Sequence, residues 1–263
     1  MTYLETLFDL KDKVAVVTGG LGILGTQYCE ALLKSGAKVA VIDINEVKSD
    51  HYLANAANGG ALKFFKADIT NRLEMEQALH DIETDWSTPE ILINNAALDF
   101  PPSPGVKETF ENYPLDKWNS VINVNLTGVL VCCQVFGGAM AQKNGGSIIN
   151  ISSIYGIVSP DQRIYKDFVK PVSYSVTKSG IINFTKYLAT YWAAKNVRVN
   201  TLIPGGVLGS QDKGFIEKYQ SKVPLNRMAQ KDEYNGAILF LASRASSYMT
   251  GSSLVVDGGL TAW

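Results

Sequence analysis

Apolar positions along the chain fall into two kinds of pattern. The first is a set of short β-branched runs: Lys13-Val14-Ala15-Val16-Val17-Thr18, then Lys38-Val39-Ala40-Val41-Ile42-Asp43. Four more follow at residues 62–67, 90–94, 147–152 and 197–203, and a short seventh lies at 254–256. They read as continuous runs and not as alternations, the pattern of parallel strands covered on both faces. The second kind has helical spacing. Residues 26–35 read as a helix closed by Gly36, a C-cap signal. Residues 118–140, with Ile122, Leu126, Val129, Leu130 and Cys133, predict a long buried helix. Val176, Gly180, Phe184, Leu188 and Trp192 recur every four positions, and Ile181 and Tyr191 widen that stripe. Strand, helix and strand alternate with no linker, repeat or low-complexity tract between them. The expectation is an α/β fold: one domain over residues 1–263, a doubly wound, mostly parallel seven-stranded sheet with helices on both faces.

Between the first strand and the first helix stands Thr18-Gly19-Gly20-Leu21-Gly22-Ile23-Leu24-Gly25. A Rossmann-like fold cradles phosphate at this position. Glycines permit the tight turn and the close approach of a pyrophosphate, while free N–H groups and the helix dipole supply positive potential. Glycine clusters also serve turns for purely steric reasons. Asp43 adds chemistry, because it ends the second strand eighteen residues after Gly25 and is placed to accept from a ribose 2′-OH. Its plainer use is as an N-cap for the next helix. A carboxylate there repels a 2′-phosphate, and neither Ile44, Asn45 nor any residue of the turn is basic. NAD(H) is therefore favoured over NADP(H).

Tyr174 and Lys178 are four apart on the third helical stripe, which places their Cβ atoms about 6 Å from each other. A neighbouring ammonium favours the phenolate and brings a phenol, with its ordinary pKa near ~10, toward use as a proton shuttle. The plain alternative is a surface tyrosine beside a solvated lysine.

Composition changes this picture little. The chain is 46 % apolar and 19 % charged, as soluble globular domains are. A net charge of −1 gives no electrostatic footprint for nucleic acid or an anionic membrane. Cys29, Cys132 and Cys133 do not make a disulfide framework, so a reducing cytoplasm is expected. The N-terminus shows no basic segment followed by an apolar run. The most apolar stretch, 128–140, is interrupted by Gln134 and falls short of the ~20 residues of a membrane span. His51 and His80 have no partners at ligand spacing, and no metal site is expected.

With the glycine turn, Asp43 and the Tyr174/Lys178 pair, the chain resembles the short-chain dehydrogenase/reductase family over essentially its whole length. Further segments match in order. Asp68-Ile69 ends the third strand, where the family's aspartate meets adenine. Asn94-Asn95-Ala96-Ala97 resembles the family's Asn-Asn-Ala-Gly. Asn125, within Asn123-Val124-Asn125-Leu126, matches the catalytic asparagine, and Ser153 matches the catalytic serine better than Ser152. Pro204-Gly205-Gly206-Val207 matches a nicotinamide-side loop, and Val256-Asp257-Gly258-Gly259 the C-terminal signature. Two departures stand out. The middle glycine of the turn is at 22, with Ile23 where glycine is usual, and the interval from Ser153 to Tyr174 is longer than usual, with extra residues inside 155–170.

The resemblance implies hydride transfer between a nicotinamide and a carbinol or carbonyl carbon. Tyr174 would move the hydroxyl proton, and Ser153 would bond the substrate oxygen. Lys178 would tune Tyr174 and hold the nicotinamide ribose, and Asn125 would hold a water linking Lys178 to solvent. The cofactor would lie on Gly19, Gly22, Ile23, Leu24, Asp43, Asp68, Ile69, Asn95, Tyr174, Lys178, Pro204, Gly205 and Val207. A homodimer or homotetramer is implied by the same resemblance. So is kinship with gluconate-type sugar dehydrogenases and with members from bacterial surface-sugar and flagellin-glycan pathways. Segments 98–105, 155–170 and 206–227 would frame a sugar, sugar acid, sugar phosphate or nucleotide sugar. The last carries Lys213, Lys218, Lys222 and Arg227. Arg163 is the candidate grip for an anionic group, because its planar fork suits carboxylate or phosphate. The rivals are a non-catalytic NAD(H)-binding sensor and a sugar-nucleotide epimerase. The first would predict a broken Ser/Tyr/Lys set, and the second a larger C-terminal substrate domain.

Overall fold

The structure, a computed structural model, describes residues 2–100, 109–165 and 169–263, with the backbone alone at 55–58. Seven strands form its sheet: β1 Val14–Thr18, β2 Lys38–Asp43, β3 Leu62–Lys66, β4 Ile91–Asn94, β5 Gly146–Ile151, β6 Val197–Pro204 and β7 Ser253–Val256. Their order is β3-β2-β1-β4-β5-β6-β7, and every pairing is parallel. β1, β2, β4 and β5 are buried almost throughout, as their continuous apolar runs require. The register aligns Ile42, Thr18, Asn94, Asn150 and Thr201 across five strands. The carboxyl ends of these strands are thereby flush. The winding reverses between β1 and β4, and ligands of doubly wound sheets lie outside the strand ends at such a point.

The helix after β1 spans Ile23–Lys34 and starts three residues before the predicted position. Gly22, extended at φ −74° and ψ 173°, takes the N-cap place, so Ile23 and Leu24 already belong to the first turn. The predicted 118–140 helix is longer, Leu115–Gln142, at 28 residues. That is long and apolar enough to cross a membrane, which corrects the length argument made from sequence. Packing places it in the core, where Val121, Val129, Cys132, Phe136 and Met140 are buried. At Gly137 a Cβ would lie 2.6 Å from the Trp192 ring, so only glycine admits that contact. Two π-helical turns, Asn123–Gly128 and Cys133–Gly137, interrupt the helix. Such turns are found often at functional sites.

The helix Val172–Tyr191 differs from expectation in its buried face. Val176 is 43 % exposed and Tyr191 65 %, whereas Ser173, Thr177, Ile181, Thr185 and Leu188 face inward. The apolar stripe misled because the sheet offers polar partners to this face. Asn150 Nδ2 and Thr201 Oγ1 each donate to Thr185 Oγ1 at 2.9 Å. Apolar clusters cover both faces of the sheet. A third cluster, with Ile154, Ile164, Ile203, Tyr219, Val223 and Met228, roofs the strand ends. Tyr219 comes from a helix, Lys213–Gln220, inside the predicted 206–227 loop.

Candidate active site

At the reversal point a cleft of about 550 Å³ opens between the glycine turn and the ends of β2, β3 and β4. The turn is held from below. Thr18 Oγ1 accepts from the N–H groups of Asn95 and Ala96 at 3.1 and 3.2 Å, and Asn95 Nδ2 donates to the carbonyls of Thr18 and Gly19. Gly19 stands at φ 61°, and a Cβ on it would lie 2.7 Å from Ala96 Cα. On Gly25 a Cβ would meet Gly19 O and, at 2.7 Å, Gly20 Cα. Gly22 has more room, and together with Ile23 and Leu24 it lines the cleft. The shifted glycine spacing is thus accommodated. Gly25 makes the close helix–turn packing, and Ile23, 66 % exposed, needs no glycine at its place.

Asp43 is 8 % exposed and lines the same cleft. Oδ2 accepts from Leu21 N at 3.1 Å and Oδ1 from Asn45 N at 3.0 Å, so the carboxylate ties the glycine turn to β2. Asp68 and Ile69 line the opposite wall. Thr70 donates twice to Asp68 Oδ1, and Ile69 packs where Gly128 leaves space in the long helix. At the other end, Pro204 closes β6. Gly205 N donates to Val256 O at 2.9 Å, and Val207 forms a parallel bridge with Ala229. A backbone with so little side-chain volume, beside a helix N-terminus and a carboxylate, fits a dinucleotide.

Ser153, Tyr174, Lys178 and Asn125 are brought together beyond the ends of β4 and β5. Ser153 caps a short helical turn, accepting from Tyr155 N at 3.2 Å, and its hydroxyl bonds the Tyr174 phenol. Ser152 turns away and donates to Lys178 O at 2.7 Å. The Tyr174/Lys178 pair lies on one helix, as its spacing predicts, with Lys178 Nζ 5.6 Å from the ring centroid. Nζ donates to Ile151 O at 2.8 Å. Asn125 sits in the first π-helical turn. Its side chain pairs both ways with the Leu98 backbone, at 2.7 and 2.9 Å, and Nδ2 reaches Thr177 Oγ1 at 3.2 Å.

The electrostatics differ from the simple coupling read from the sequence. Burial pushes the Tyr174 phenol up to about 12; the Asp99 carboxylate raises it further, and the Ser153 hydroxyl opposes both. Burial also holds the Lys178 ammonium down to about 8, against a smaller upward pull from Asp99. Desolvation is the largest cause for both groups, because each is taken out of water. Asp99 was not singled out in the sequence. Lys170, one of the charged residues of the extra segment, has its ammonium paired with Asp99 and 4.4 Å from the centroid of the Tyr174 ring. Lys170 stands four positions before Tyr174, as Lys178 stands four after, and that was the available signal.

Arg163, Lys218, Lys222 and Arg227 of the roof are engaged with neighbours. Arg163 is 86 % exposed at its side chain and forks onto Asp161, with Nε and Nη2 at 2.9 and 2.8 Å; Lys222 pairs with the same carboxylate. These cations hold the Asp161 acid well below its usual range. Arg227 forks onto Glu233, and Lys218 reaches Arg163 O. Arg163 is thus held by Asp161 on the exposed side of the roof. Residues 101–105 and 166–168, parts of two predicted substrate loops, lie outside the described residues, Lys166 among them.

A family model described as "Enoyl-(Acyl carrier protein) reductase", of the short-chain alcohol dehydrogenase group, matches residues 22–261. The chain is a short-chain dehydrogenase/reductase. As an oxidoreductase of that family it has relatives of its own length. D-threitol dehydrogenase of Mycolicibacterium smegmatis is 31 % identical, over 97 % of this chain and 95 % of the relative. A short-chain dehydrogenase of Leptospira borgpetersenii solved with bound NAD⁺ is 35 % identical with a TM-score of 0.86, over 99 % of this chain and 96 % of that one. A gluconate 5-dehydrogenase of Burkholderia cenocepacia, solved with NADP and tartrate, is 27 % identical with a TM-score of 0.88, over 99 % and 100 %. The fold, and the kinship with sugar and polyol dehydrogenases, agree with the resemblance drawn from the motifs.

Proposed function

We propose that this enzyme interconverts a secondary alcohol and a ketone on a polyol, sugar or sugar derivative, with NAD(H) as its cofactor. The observation that carries the reading is the meeting of Ser153, Tyr174 and Lys178 beside the glycine-turn cleft. Bound in that cleft, the nicotinamide would accept or supply hydride. The turn from Gly19 to Leu24 would hold the pyrophosphate, Asp43 a ribose, and Asp68 with Ile69 the adenine. Asn95, Lys178, Pro204, Gly205 and Val207 would flank the nicotinamide half.

The remaining work falls to the chain's own groups. Tyr174 Oη takes the hydroxyl proton in oxidation and returns it in reduction. Ser153 Oγ donates to the substrate oxygen and stabilises its developing charge. Lys178, charged below pH about 8, offsets the charge of the phenolate. Asn125 fixes the Leu98 backbone to Thr177 on the catalytic helix, and it would hold a water that links Lys178 to solvent. The preference for NAD(H) is supported by Asp43, whose carboxylate faces the cleft with Ile44 and Asn45 beside it. An outward swing of Arg163 from Asp161 would let it meet an acidic group on the far end of a longer substrate. Exposed Leu115, Leu130, Val176, Tyr187 and Tyr191, on the long and catalytic helices, support a homodimer or homotetramer. Three buried, free cysteines are compatible with the cytoplasm.

The test follows NADH absorbance with a panel of polyols, hexoses, hexonates, sugar phosphates and nucleotide sugars, with NADP⁺ in parallel. NAD⁺-linked turnover on a hydroxylated substrate is expected. Tightly retained NAD with no net change in its redox state would instead indicate an epimerase.

A further inference from the structure

The extra segment before the catalytic helix brings a charged side chain to the reacting phenol. Lys170 directly precedes Pro171, the N-cap residue of the helix Val172–Tyr191, so its side chain leaves the backbone just ahead of the first turn. Its Nζ lies 4.4 Å from the Tyr174 ring centroid and 6.0 Å from that of Tyr155. The same ammonium pairs with Asp99, and the two side chains are only 12 % and 34 % exposed. Both residues are carried by anchored backbone. Lys170 N donates to Gln162 Oε1 at 2.8 Å. Asp99 follows Leu98, whose N–H and C=O are both bonded to Asn125. Burial of its Lys170 end sets this pair apart from freely solvated surface pairs, which contribute little to stability. On the Asp99 side it is tied, through Leu98, to Asn125, which also bonds Thr177 on the catalytic helix.

The hydrogen-bonding capacity of the pair points to its partner. An ammonium has three donors and a carboxylate about four lone-pair sites, and their mutual bond uses one of each. Donors and acceptors are left side by side within reach of a substrate on Tyr174. A hydroxyl matches that arrangement, since it donates and accepts at once. An anion placed there would meet the charge of Asp99, and a cation that of Lys170.

We propose that Asp99 and Lys170 are specificity-determining residues that bind the hydroxyl on the carbon next to the reacting one. The preferred substrate is then a vicinal diol or its α-hydroxy ketone, as in a polyol and its ketose, over an isolated secondary alcohol. This role presupposes the polyol oxidoreductase proposed above and names the groups that make it selective. The neighbouring hydroxyl donates to the Asp99 carboxylate and accepts from the Lys170 ammonium. Neither residue carries the reacting proton.

The experiment measures kcat and KM separately for the wild type, Asp99→Asn and Lys170→Met, with Asp99→Glu and Lys170→Arg as conservative variants. The probes are D-threitol, D-arabinitol and any other polyol the wild type turns over, each beside its analogue lacking the hydroxyl next to the reacting carbon. Circular dichroism and NADH titration confirm that every variant folds and binds cofactor. For the polyol, KM should rise about 10- to 100-fold in Asp99→Asn and Lys170→Met with kcat changed much less. The conservative variants should recover part of the loss. For the deoxy analogue the wild type should already show the high KM, and the substitutions should add little. Unchanged polyol KM in both variants overturns the assignment, as does an equal rise for polyol and deoxy analogue. If the wild type turns over no hydroxylated substrate while binding NADH, both the assignment and the proposed function fail. Turnover that is insensitive to Asp99 and Lys170 removes only the assignment.

Discussion

Replacing Lys178 by methionine keeps the length of the side chain and removes a buried charge. Lys178 is 4 % exposed, and burial lowers its proton affinity from 10.5 to about 8. At roughly 1.4 kcal/mol per tenfold change, that is a penalty of about 3 kcal/mol on the folded state. Its sign fixes the pH window. Below pH about 8 the folded and unfolded chains both carry the charge, and the full penalty is present. Between about 8 and 10.5 the folded lysine is neutral while the unfolded one stays protonated, so stability rises with pH. Above 10.5 both are neutral and the penalty is gone. Methionine has no such term, but it forfeits the bond from Nζ to Ile151 O, about 1 kcal/mol. Lys178→Met should therefore be more stable than wild type by about 2 kcal/mol at pH 7, and less stable by about 1 kcal/mol near pH 10.5. Urea unfolding of both proteins from pH 7 to 10.5, at one protomer concentration, measures the difference while titrations common to both cancel. A difference that stays flat across this range, or slopes the other way, would refute the reasoning. Turnover should be lost at every pH, since the stabilised variant lacks the group the chemistry needs.

Three further outcomes are expected. Gly25→Ala forces a Cβ onto the backbone of Gly19 and Gly20, which cannot yield as a flexible side chain would. Stability should fall by about 1–3 kcal/mol and NADH affinity by at least about tenfold, read from melting curves and fluorescence titration. Asp43→Ala loses the bonds to Leu21 and Asn45 together with the repulsion of a 2′-phosphate; the NAD⁺/NADP⁺ ratio of kcat/KM should fall by about tenfold or more. Thr185→Val leaves Asn150 and Thr201 without their shared acceptor on the buried helix face and should cost about 1–3 kcal/mol in urea unfolding, with the folded protein's kcat near wild type.

Much of this architecture could be read from local patterns because the forces behind it are local. Runs such as Val14–Thr18 and Lys38–Asp43 have to be apolar throughout, since helices cover both faces of a parallel sheet. Asp43 and Tyr174/Lys178 were legible because strand ends and helix turns fix where such side chains can point. The start of the first helix was missed because Gly22 caps it with backbone conformation alone and no side-chain signal. The buried face of the catalytic helix was misjudged because Thr185 is satisfied by Asn150 and Thr201, which arrive from two other strands. The pairing of Lys170 with Asp99 spans 71 residues and depends on how the strand ends bring two loops together. For the same reason the sequence could show that Arg163 is a fork suited to anions, but not that Asp161 and Lys222 share its surroundings.

The central claim is that Tyr174 moves the substrate's proton. Tyr174→Phe keeps the ring, its packing against Lys170 and the cofactor cleft, and removes only the hydroxyl. The most direct measurement compares NADH affinity and steady-state turnover of this variant with the wild type on a polyol that the wild type oxidises. NADH binding should be nearly unchanged and turnover reduced by about two to four orders of magnitude. Turnover equal to wild type, with the variant folded and NADH bound, would contradict the assignment of Tyr174 and the proposed function with it.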